Sequence, residues 1–288
     1  MKHTKIPDLN NTLLKISSVY SSLTKSEQKV ADVVMKEPEA AVFFTITDLS
    51  EKANVGETSV IRFCRKLGFR GYQEFKLSVA QNLSTPSQNI HGDIEDDDEM
   101  SIIVKKISAI NVQNIHNTTT LLDEDSLRQA IAILREARKL YFFGVGSSGI
   151  TAIDAKHRFM RIGYECAAEN DAHIIAMNAA LTKPGDVVIG ISTSGSTKDL
   201  VDAMEIAKGR GANIICLTSH ARSPITHFAD VVLLTASKES PLQGGSFSSK
   251  LSQIHALDVL CTALAIGHKE RTYESLERTA KAVLNKLY

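Results

Sequence analysis

The segment VVIGISTSGSTKD, residues 187–199, changes abruptly from apolar residues to small hydroxyl side chains. Five hydroxyls lie in this turn, those of Ser192, Thr193, Ser194, Ser196 and Thr197. The glycine among them, Gly195, lets a ligand approach the backbone closely. The apolar run is typical of a buried strand, and TKDLVDAMEIAKG after it is typical of a helix. Hydroxyls beside the free N–H groups of a helix start form an anion site without any formal positive charge.

A second loop of the same kind lies in FGVGSSGIT, where Gly146, Ser147, Ser148 and Gly149 separate another strand from another helix. Either loop alone is equally well explained as a simple helix cap, but the two together predict a phosphate held from two sides. The nucleotide-binding motif G-x-x-x-x-G-K-[ST] does not occur in the sequence, and GVGSSG does not match the dinucleotide fingerprint.

A helix-turn-helix pattern occupies residues 46–67, within ITDLSEKANVGETSVIRFCRKLGF. Apolar residues stand at the offsets that two packed helices require: Leu49, Ala53, Val55, Val60 and Phe63. Asn54 falls at the turn, and asparagine tolerates the left-handed backbone region that such a turn needs. The pattern predicts a recognition helix from Glu57 to Lys66.

The exposed face of that helix offers groups that suit DNA. The candidate DNA-binding residues are Glu57, Thr58, Ser59, Arg62, Arg65, Lys66 and Arg70. Five basic residues, counting Lys76, face two acidic ones over residues 57–76. Arginine reads guanine with two hydrogen bonds and lysine neutralises phosphates. The alternative is an ordinary helical hairpin with a solvated basic face.

Length and composition predict two domains and no dominant charge. The chain has 288 residues and a formal net charge of zero, so contact with nucleic acid requires a local basic patch. Residues 84–100 contain Pro, Gly and a run of acids, which predicts a linker between a helical domain, residues 1–83, and a second domain, residues 101–288.

The second domain alternates strands with helices, which predicts an α/β fold with a five-stranded parallel sheet covered on both faces. The predicted strands are residues 139–145, 164–169, 186–192, 213–219 and 230–236. The predicted helices are residues 101–119, 150–162, 172–182, 198–209, 223–228, 247–266 and 272–286.

Several classes of protein are disfavoured by the sequence. The four cysteines are widely spaced, which predicts free thiols, a reducing cytoplasm and no metal site. The N-terminal residues lack the apolar core of a signal peptide, and no apolar run is long enough to cross a membrane. No cofactor is predicted.

Two sets of motifs resemble known families. GVGSSG, KPGDVVIGIS and STSGSTKDL resemble the sugar isomerase (SIS) domain, a flavodoxin-like phosphosugar-binding module. TKSEQKVADVV and ANVGETSVIRFCRKLGFRGYQEFK, with the overall arrangement, resemble the RpiR family of bacterial transcriptional regulators. The resemblance covers nearly the whole chain. It implies a regulator that binds double-stranded operator DNA and is controlled by a phosphorylated sugar.

The resemblance also implies roles for single residues. The phosphate would be held by Ser147, Ser148, Ser192, Ser194 and Thr197. Gly146 lies in the same loop as the first two, and Thr193 and Ser196 would add backbone N–H groups or secondary contacts. The family's recognition pattern maps onto Thr58, Ser59, Arg62 and Arg65.

The sugar end of the site and the choice between sensor and enzyme are less determined. Glu239 and Ser246 lie in ASKESPLQGGSFSSKL, residues 236–251, and could contact hydroxyl groups of the sugar. The alternative is that Glu239 is solvated and that Ser246 caps the next helix. A sugar-phosphate isomerase needs a base and often a histidine, yet His268 lacks the HPGG-like context of related isomerases.

The predicted recognition helix favours a regulator that is not an enzyme, with an isomerase as the alternative and a sugar-phosphate-binding partner protein as a weaker third. Because one recognition helix buries too little surface for specific affinity, a homodimer or homotetramer is expected. The helices at residues 101–119, 247–266 and 272–286 are candidates for the subunit contact.

Overall fold

The computed structural model describes residues 12–83, 94–95, 97–237 and 247–286. These residues form two compact units. The helical unit contains the described residues up to Ile107, and the sheet unit contains Ser108–Ser237 and the described residues from Phe247. The predicted linker lies largely outside the described residues, so its boundaries stay a prediction.

The helical unit consists of short helices around one apolar core. Its helices are α1 Thr12–Val19, α2 Lys25–Lys36, α3 Pro38–Ala41, α4 Ile46–Lys52, α5 Glu57–Lys66 and α6 Tyr72–Leu83, with a 3₁₀ turn at Tyr20–Ser22. Thr24 and Glu27 form a capping box at the start of α2. The core is built from side chains of every helix, among them Ile16, Val30, Ala41, Leu49, Phe63 and Phe75.

The sheet unit is a parallel five-stranded sheet with the strand order β2-β1-β3-β4-β5. Its strands are β1 Lys139–Gly144, β2 Cys166–Glu169, β3 Asp186–Ile191, β4 Asn213–Thr218 and β5 Val231–Leu234. The helices are α7 Met100–Leu121, which begins in the helical unit, α8 Glu124–Arg135, α9 Ser147–Arg161, α10 Ala172–Leu181, α11 Lys198–Gly209, α12 Phe247–Gly267 and α13 Lys269–Lys281. The predicted fold class is confirmed.

Helices cover both faces of the sheet because its strands are apolar on both sides. Leu140 and Phe142 of β1 pack with α8, α9 and α12, whereas Tyr141 and Phe143 pack with α10 and α11 on the opposite face. Strand β3 is buried along its whole length. Two-sided burial explains why these strands are continuous apolar runs in the sequence.

Several predicted boundaries were wrong for local reasons. Strand β2 begins at Cys166 instead of residue 164, because Gly163, with a φ of 95°, turns the chain and Tyr164 N–H bonds the carbonyl of Phe159. The predicted helix at residues 223–228 is a 3₁₀ turn, Pro224–Phe228. Helix α8 was not predicted, and the last predicted helix instead begins at Lys269.

Candidate functional site

The two hydroxyl loops meet at the point where the strand order of the sheet reverses. Strands β1 and β3 are neighbours in the sheet, although β2 lies between them in the chain. Helix α9 leaves β1 toward one face of the sheet, and α11 leaves β3 toward the other. The crevice between such diverging connections is where open parallel sheets bind ligands.

The first loop keeps its backbone close to the sheet. Gly146 precedes α9 with a φ of 62°, and no side chain caps the helix. A Cβ atom on Gly149 would lie 2.8 Å from the carbonyl oxygen of Gly144, so only glycine fits there. Ser147 and Ser148 therefore stand on an uncapped helix start, where free N–H groups and the helix dipole favour an anion.

Hydrogen bonds between hydroxyl groups and backbone N–H groups of the same segment hold the second loop together. Ser192 Oγ accepts a hydrogen bond from Gly195 N–H at 3.1 Å, and Ser194 Oγ accepts one from Ser196 N–H at 3.2 Å. Thr197 Oγ1 lies 3.3 Å from Ser192 Oγ and does not cap α11, which begins at the next residue. Helix α11 thus also begins without a side-chain cap. By contrast, Asp171 caps the neighbouring helix α10.

These contacts leave two hydroxyl hydrogens of the second loop for a ligand: that of Ser194, and one of the two belonging to Ser192 and Thr197, since the other is used in the contact between them. A hydroxyl group has one hydrogen to donate and two lone pairs that accept. The oxygens of Ser192 and Ser194 each use a lone pair on a backbone N–H group of the loop. A phosphate dianion is rich in acceptors, so it matches a site that offers O–H and N–H groups from two directions.

Gln253, which was not among the predicted site residues, joins the two loops. Its side chain, on α12, is only 2% exposed. Its amide nitrogen lies 3.1 Å from Ser148 Oγ and 3.0 Å from Thr193 Oγ1, and its amide oxygen accepts from Thr151 Oγ1 at 3.0 Å. The available signal was one amide within the apolar pattern of residues 247–266.

The loop after β4 supports the second hydroxyl loop from behind. The carbonyl of Thr193 accepts from Ser219 N–H at 3.0 Å and from Thr218 Oγ1 at 3.3 Å. At the next strand end, Ser237 Oγ lies 2.7 Å from Ser249 Oγ. Glu239 and Ser246, the residues predicted for the sugar end, lie outside the described residues.

The helix-turn-helix has the predicted geometry. Asn54, with a φ of 48°, is the one described residue other than glycine with a positive φ, and it lies at the predicted turn. Its N–H bonds the carbonyl of Glu51, and Val55 N–H bonds that of Ser50, which closes the turn between α4 and α5. Helix α5 buries Val60 and Phe63 completely. Helix α5 spans Glu57–Lys66, the same bounds as the predicted recognition helix.

The outer face of α5 presents arginines and small hydroxyls. Thr58, Arg62 and Arg65 are exposed and Ser59 is half-buried, while Arg70 is exposed just beyond the helix. Among the residues that the structure describes, no carboxylate pairs with any of these three arginines. Their guanidinium groups are therefore open to phosphates and to base edges.

Two other candidates, Glu57 and Lys66, turn toward the protein, as does Lys76, which was counted in the basic excess. Glu57 accepts a hydrogen bond from Thr47 Oγ1 at 2.6 Å and thus ties α5 to α4. Lys66 Nζ lies 3.1 Å from Glu27 Oε2. Lys76 Nζ donates to the carbonyl of Phe44 at 2.8 Å, and burial lowers its pKa to about 8. The basic excess predicted for the DNA-facing surface is correspondingly smaller, because two of its five charges point inward.

Two family models match the chain. The model of the SIS domain matches residues 133–263, and that of the helix-turn-helix domain, rpiR family, matches residues 10–86. An uncharacterized HTH-type transcriptional regulator of Haemophilus influenzae is 36% identical over 278 residues, 95% of this chain and 96% of that protein. The chain belongs to the rpiR family of helix-turn-helix transcriptional regulators. The regulator HexR of Escherichia coli is 32% identical over 273 residues, 95% of this chain and 94% of HexR.

A solved structure shares both units of this rpiR-family regulator. It is the NanR protein of Vibrio vulnificus complexed with ManNAc-6P, with a TM-score of 0.86 and 30% identity. The match covers 96% of this chain and 99% of NanR. The relatives confirm the interpretation of a transcriptional regulator over that of an isomerase.

The remaining chemistry of the rpiR-family regulator is modest. Across the described ranges, no three His, Cys, Asp or Glu side chains form a group that could hold a metal ion. Burial raises the pKa of all four cysteine thiols, with Cys261 at about 11, so they are weak nucleophiles at neutral pH. None of the described helices has the length and apolar character of a membrane span.

Proposed function

We propose that this regulator binds operator DNA through α5 and that a phosphorylated sugar held between the loops after β1 and β3 controls its affinity for DNA. The observation that carries the proposal is the pair of uncapped helix starts, α9 and α11, which converge on one crevice lined with hydroxyl groups. The similarity to NanR, which is complexed with ManNAc-6P, supports a phosphosugar as the ligand class.

In this proposal the phosphate lies on the two loops. The contributing groups are Gly146, Ser147, Ser148, Ser192, Thr193, Ser194, Ser196 and Thr197. Their N–H and O–H groups would share the negative charge without a cation, as helix starts do in other phosphate sites. The sugar would then extend toward the chain that follows β5, which carries Glu239 and Ser246.

The DNA contact uses the outer face of α5. Thr58 and Ser59 stand at the N-terminal end of the recognition helix, where base edges are usually read, and Arg62 follows one turn later. Arg65 and Arg70 are suited to phosphate contacts on the flanking backbone. We infer the cytoplasm as the working compartment, because that is where a bacterial operator is found.

Control requires two copies of the chain. We propose a homodimer or homotetramer that presents two recognition helices to two half-sites of an operator. The sugar phosphate would act by its differential affinity for two arrangements of those helices, with about 1–3 kcal/mol of coupling.

The test is a fluorescence-anisotropy titration of the full-length chain on the DNA upstream of its own gene, with and without a panel of sugar phosphates that includes ManNAc-6P. We expect one member of the panel to change the DNA affinity by about 5–150-fold. In the double variant Ser192→Ala, Ser194→Ala, this response should disappear while DNA affinity remains.

A matched double variant, Thr120→Ala, Thr279→Ala, removes two hydroxyls of the sheet unit that, within the described ranges, bond only helix carbonyls. It should respond like the wild type. A full response in the Ser192, Ser194 variant would refute the proposed ligand site. Failure of the wild type to bind any DNA segment upstream of its gene would refute the operator assignment.

A further inference from the structure

We propose that Gln253 is a positioning residue that turns the hydroxyl hydrogens of Ser148 and Thr193 toward the phosphate. The inference rests on the proposed function and adds an explanation of why two hydroxyl groups of the site donate hydrogen bonds to the ligand. Gln253 does not belong to either hydroxyl loop and would act on the ligand through both of them.

The amide nitrogen of Gln253 contacts a hydroxyl group in each of the two loops. Its amide nitrogen has two hydrogens, and two hydroxyl oxygens lie at hydrogen-bond distance from it, Ser148 Oγ at 3.1 Å and Thr193 Oγ1 at 3.0 Å. Among the described residues, neither hydroxyl has a further hydrogen-bond partner. Once each oxygen accepts from the amide, its own hydrogen is left to be donated elsewhere, and the phosphate proposed to lie on the two loops is the acceptor that we infer.

The orientation of the amide is set by Thr151. This residue of α9 is only 1% exposed, and within the described part of the chain its hydroxyl bonds only the amide oxygen of Gln253, at 3.0 Å. A buried hydroxyl hydrogen without an acceptor is costly. The amide oxygen therefore faces Thr151, which directs the amide nitrogen to Ser148 and Thr193.

Glutamate at this position would reverse the polarity at nearly constant volume. A carboxylate only accepts hydrogen bonds, so Ser148 and Thr193 would donate to residue 253 and no longer to the phosphate. It would also place a negative charge one hydroxyl away from the anion. If Gln253 merely linked the loops, glutamate would serve as well, because all three hydroxyl partners can donate to a carboxylate.

The experiment measures sulfate and inorganic phosphate binding to the full-length chain by calorimetry, for the wild type, Gln253→Glu and Gln253→Met. Sulfate is the main probe because its charge stays constant between pH 5 and pH 8. At pH 8 we expect Gln253→Glu to bind sulfate about ten- to a hundredfold more weakly than the wild type, the range for a lost hydrogen bond to a charged group.

The pH profile separates positioning from a structural link. Burial raises the pKa of a carboxyl group, so residue 253 of the Gln253→Glu variant should become protonated and able to donate as the pH falls toward 5. Sulfate affinity relative to the wild type should then recover in part in Gln253→Glu, because a protonated carboxyl group has one hydrogen to donate where the amide nitrogen has two. In Gln253→Met, which cannot titrate, it should stay low at every pH.

Equal sulfate affinity of Gln253→Glu and the wild type at pH 8 would overturn the inference while leaving the proposed site intact. Wild-type protein that binds neither anion nor any sugar phosphate would overturn both. If Gln253→Glu does not fold, Thr151→Val replaces it, because it frees the amide to rotate without touching either loop. It should weaken sulfate binding severalfold, and unchanged affinity would overturn the inference.

Discussion

Gly195 lies directly against Ser223, so that a Cβ atom built on this glycine would be 2.6 Å from the Cβ of Ser223. Gly195 also has a φ of 62°, and its carbonyl accepts from Ile225 N–H at 3.0 Å. The second hydroxyl loop is thus pressed onto the segment that follows β4, at a position where both space and backbone conformation require glycine. The shape of the proposed phosphate site depends on this contact.

The first prediction is that Gly195→Ala abolishes the response to sugar phosphate. The new methyl group must displace Ser223 or move the loop, which removes Ser192 Oγ from Gly195 N–H. Calorimetry of sulfate binding and anisotropy of the DNA complex should show lost anion binding and preserved DNA affinity.

The control is Gly185→Ala. Gly185 has a φ of 88°, but a Cβ atom at this position would meet no neighbouring atom closer than 3.8 Å. The residue precedes β3 and therefore lies at the opposite end of this strand from the second hydroxyl loop. Alanine there should cost about 1–2 kcal/mol of stability through the backbone alone and leave anion binding unchanged. Normal sulfate affinity in Gly195→Ala would show that the loop tolerates displacement.

The second prediction concerns the turn between α4 and α5. Asn54 has a φ of 48°, a conformation that β-branched residues resist. We expect Asn54→Val to lower the free energy of unfolding of the helical unit by about 1–2 kcal/mol and to weaken DNA binding, whereas Asn54→Gly should change stability by only a few tenths of a kcal/mol. Thermal unfolding of the full-length variants measures the difference.

If valine and glycine at position 54 prove equally stable, the turn does not depend on a left-handed residue. In that case the α4–α5 angle would have to be held by the buried core alone, chiefly Leu49, Val60 and Phe63.

The sequence was informative wherever a local pattern has one physical meaning. The hydroxyl turns followed apolar strands, and Asn54 stood at the one offset where a helix-turn-helix needs a positive φ. These features depend on residues that lie close together in the chain, so the spacing of the residues is enough to predict them.

Contacts between distant segments were not predictable in the same way. Gln253 reaches Ser148 across 105 residues, and Lys66 reaches Glu27 across 39. Lysine has a long, flexible side chain, so its position on a helix does not tell whether the charge faces solvent or a carbonyl such as that of Ser22. Fewer positive charges are therefore available to DNA than the number of basic residues in the sequence predicts.

The third prediction concerns which basic side chains of α5 contact DNA. Arg65→Ala should reduce the slope of log K against log salt concentration for DNA binding by about 0.9, the value for one lost phosphate contact. Lys66→Met should leave the slope unchanged, because Lys66 Nζ is already paired with Glu27 and bonded to the carbonyl of Ser22. The measurement is DNA anisotropy at several salt concentrations.

Lys66→Met should instead lower the stability of the helical unit, since it leaves Glu27, whose side chain is 10% exposed, without its cation. If Lys66→Met reduces the salt dependence of DNA binding more than Arg65→Ala does, Lys66 contacts DNA and Arg65 does not.

The fourth prediction follows from the buried amine of Lys76. Burial lowers its pKa to about 8 in the folded protein, against about 10.4 in an unfolded chain. Between these values the unfolded chain binds a proton that the folded one lacks, so stability contributed by this group rises as the pH increases from about 8 to about 10.4. Below pH 8 the lysine is charged in both states, and its burial is fully unfavourable.

Lys76→Met removes that penalty, and the carbonyl of Phe44 keeps the Tyr72 hydroxyl as a donor at 2.9 Å. We expect the variant to be more stable than the wild type by about 1–3 kcal/mol at pH 7, with the difference shrinking toward pH 10. Calorimetric unfolding of both full-length proteins at pH 7 and pH 10 measures it, with the exposed Lys36→Met as the control that shows no such trend. A constant difference across this range would mean that Lys76 keeps its charge and its hydration in the folded protein.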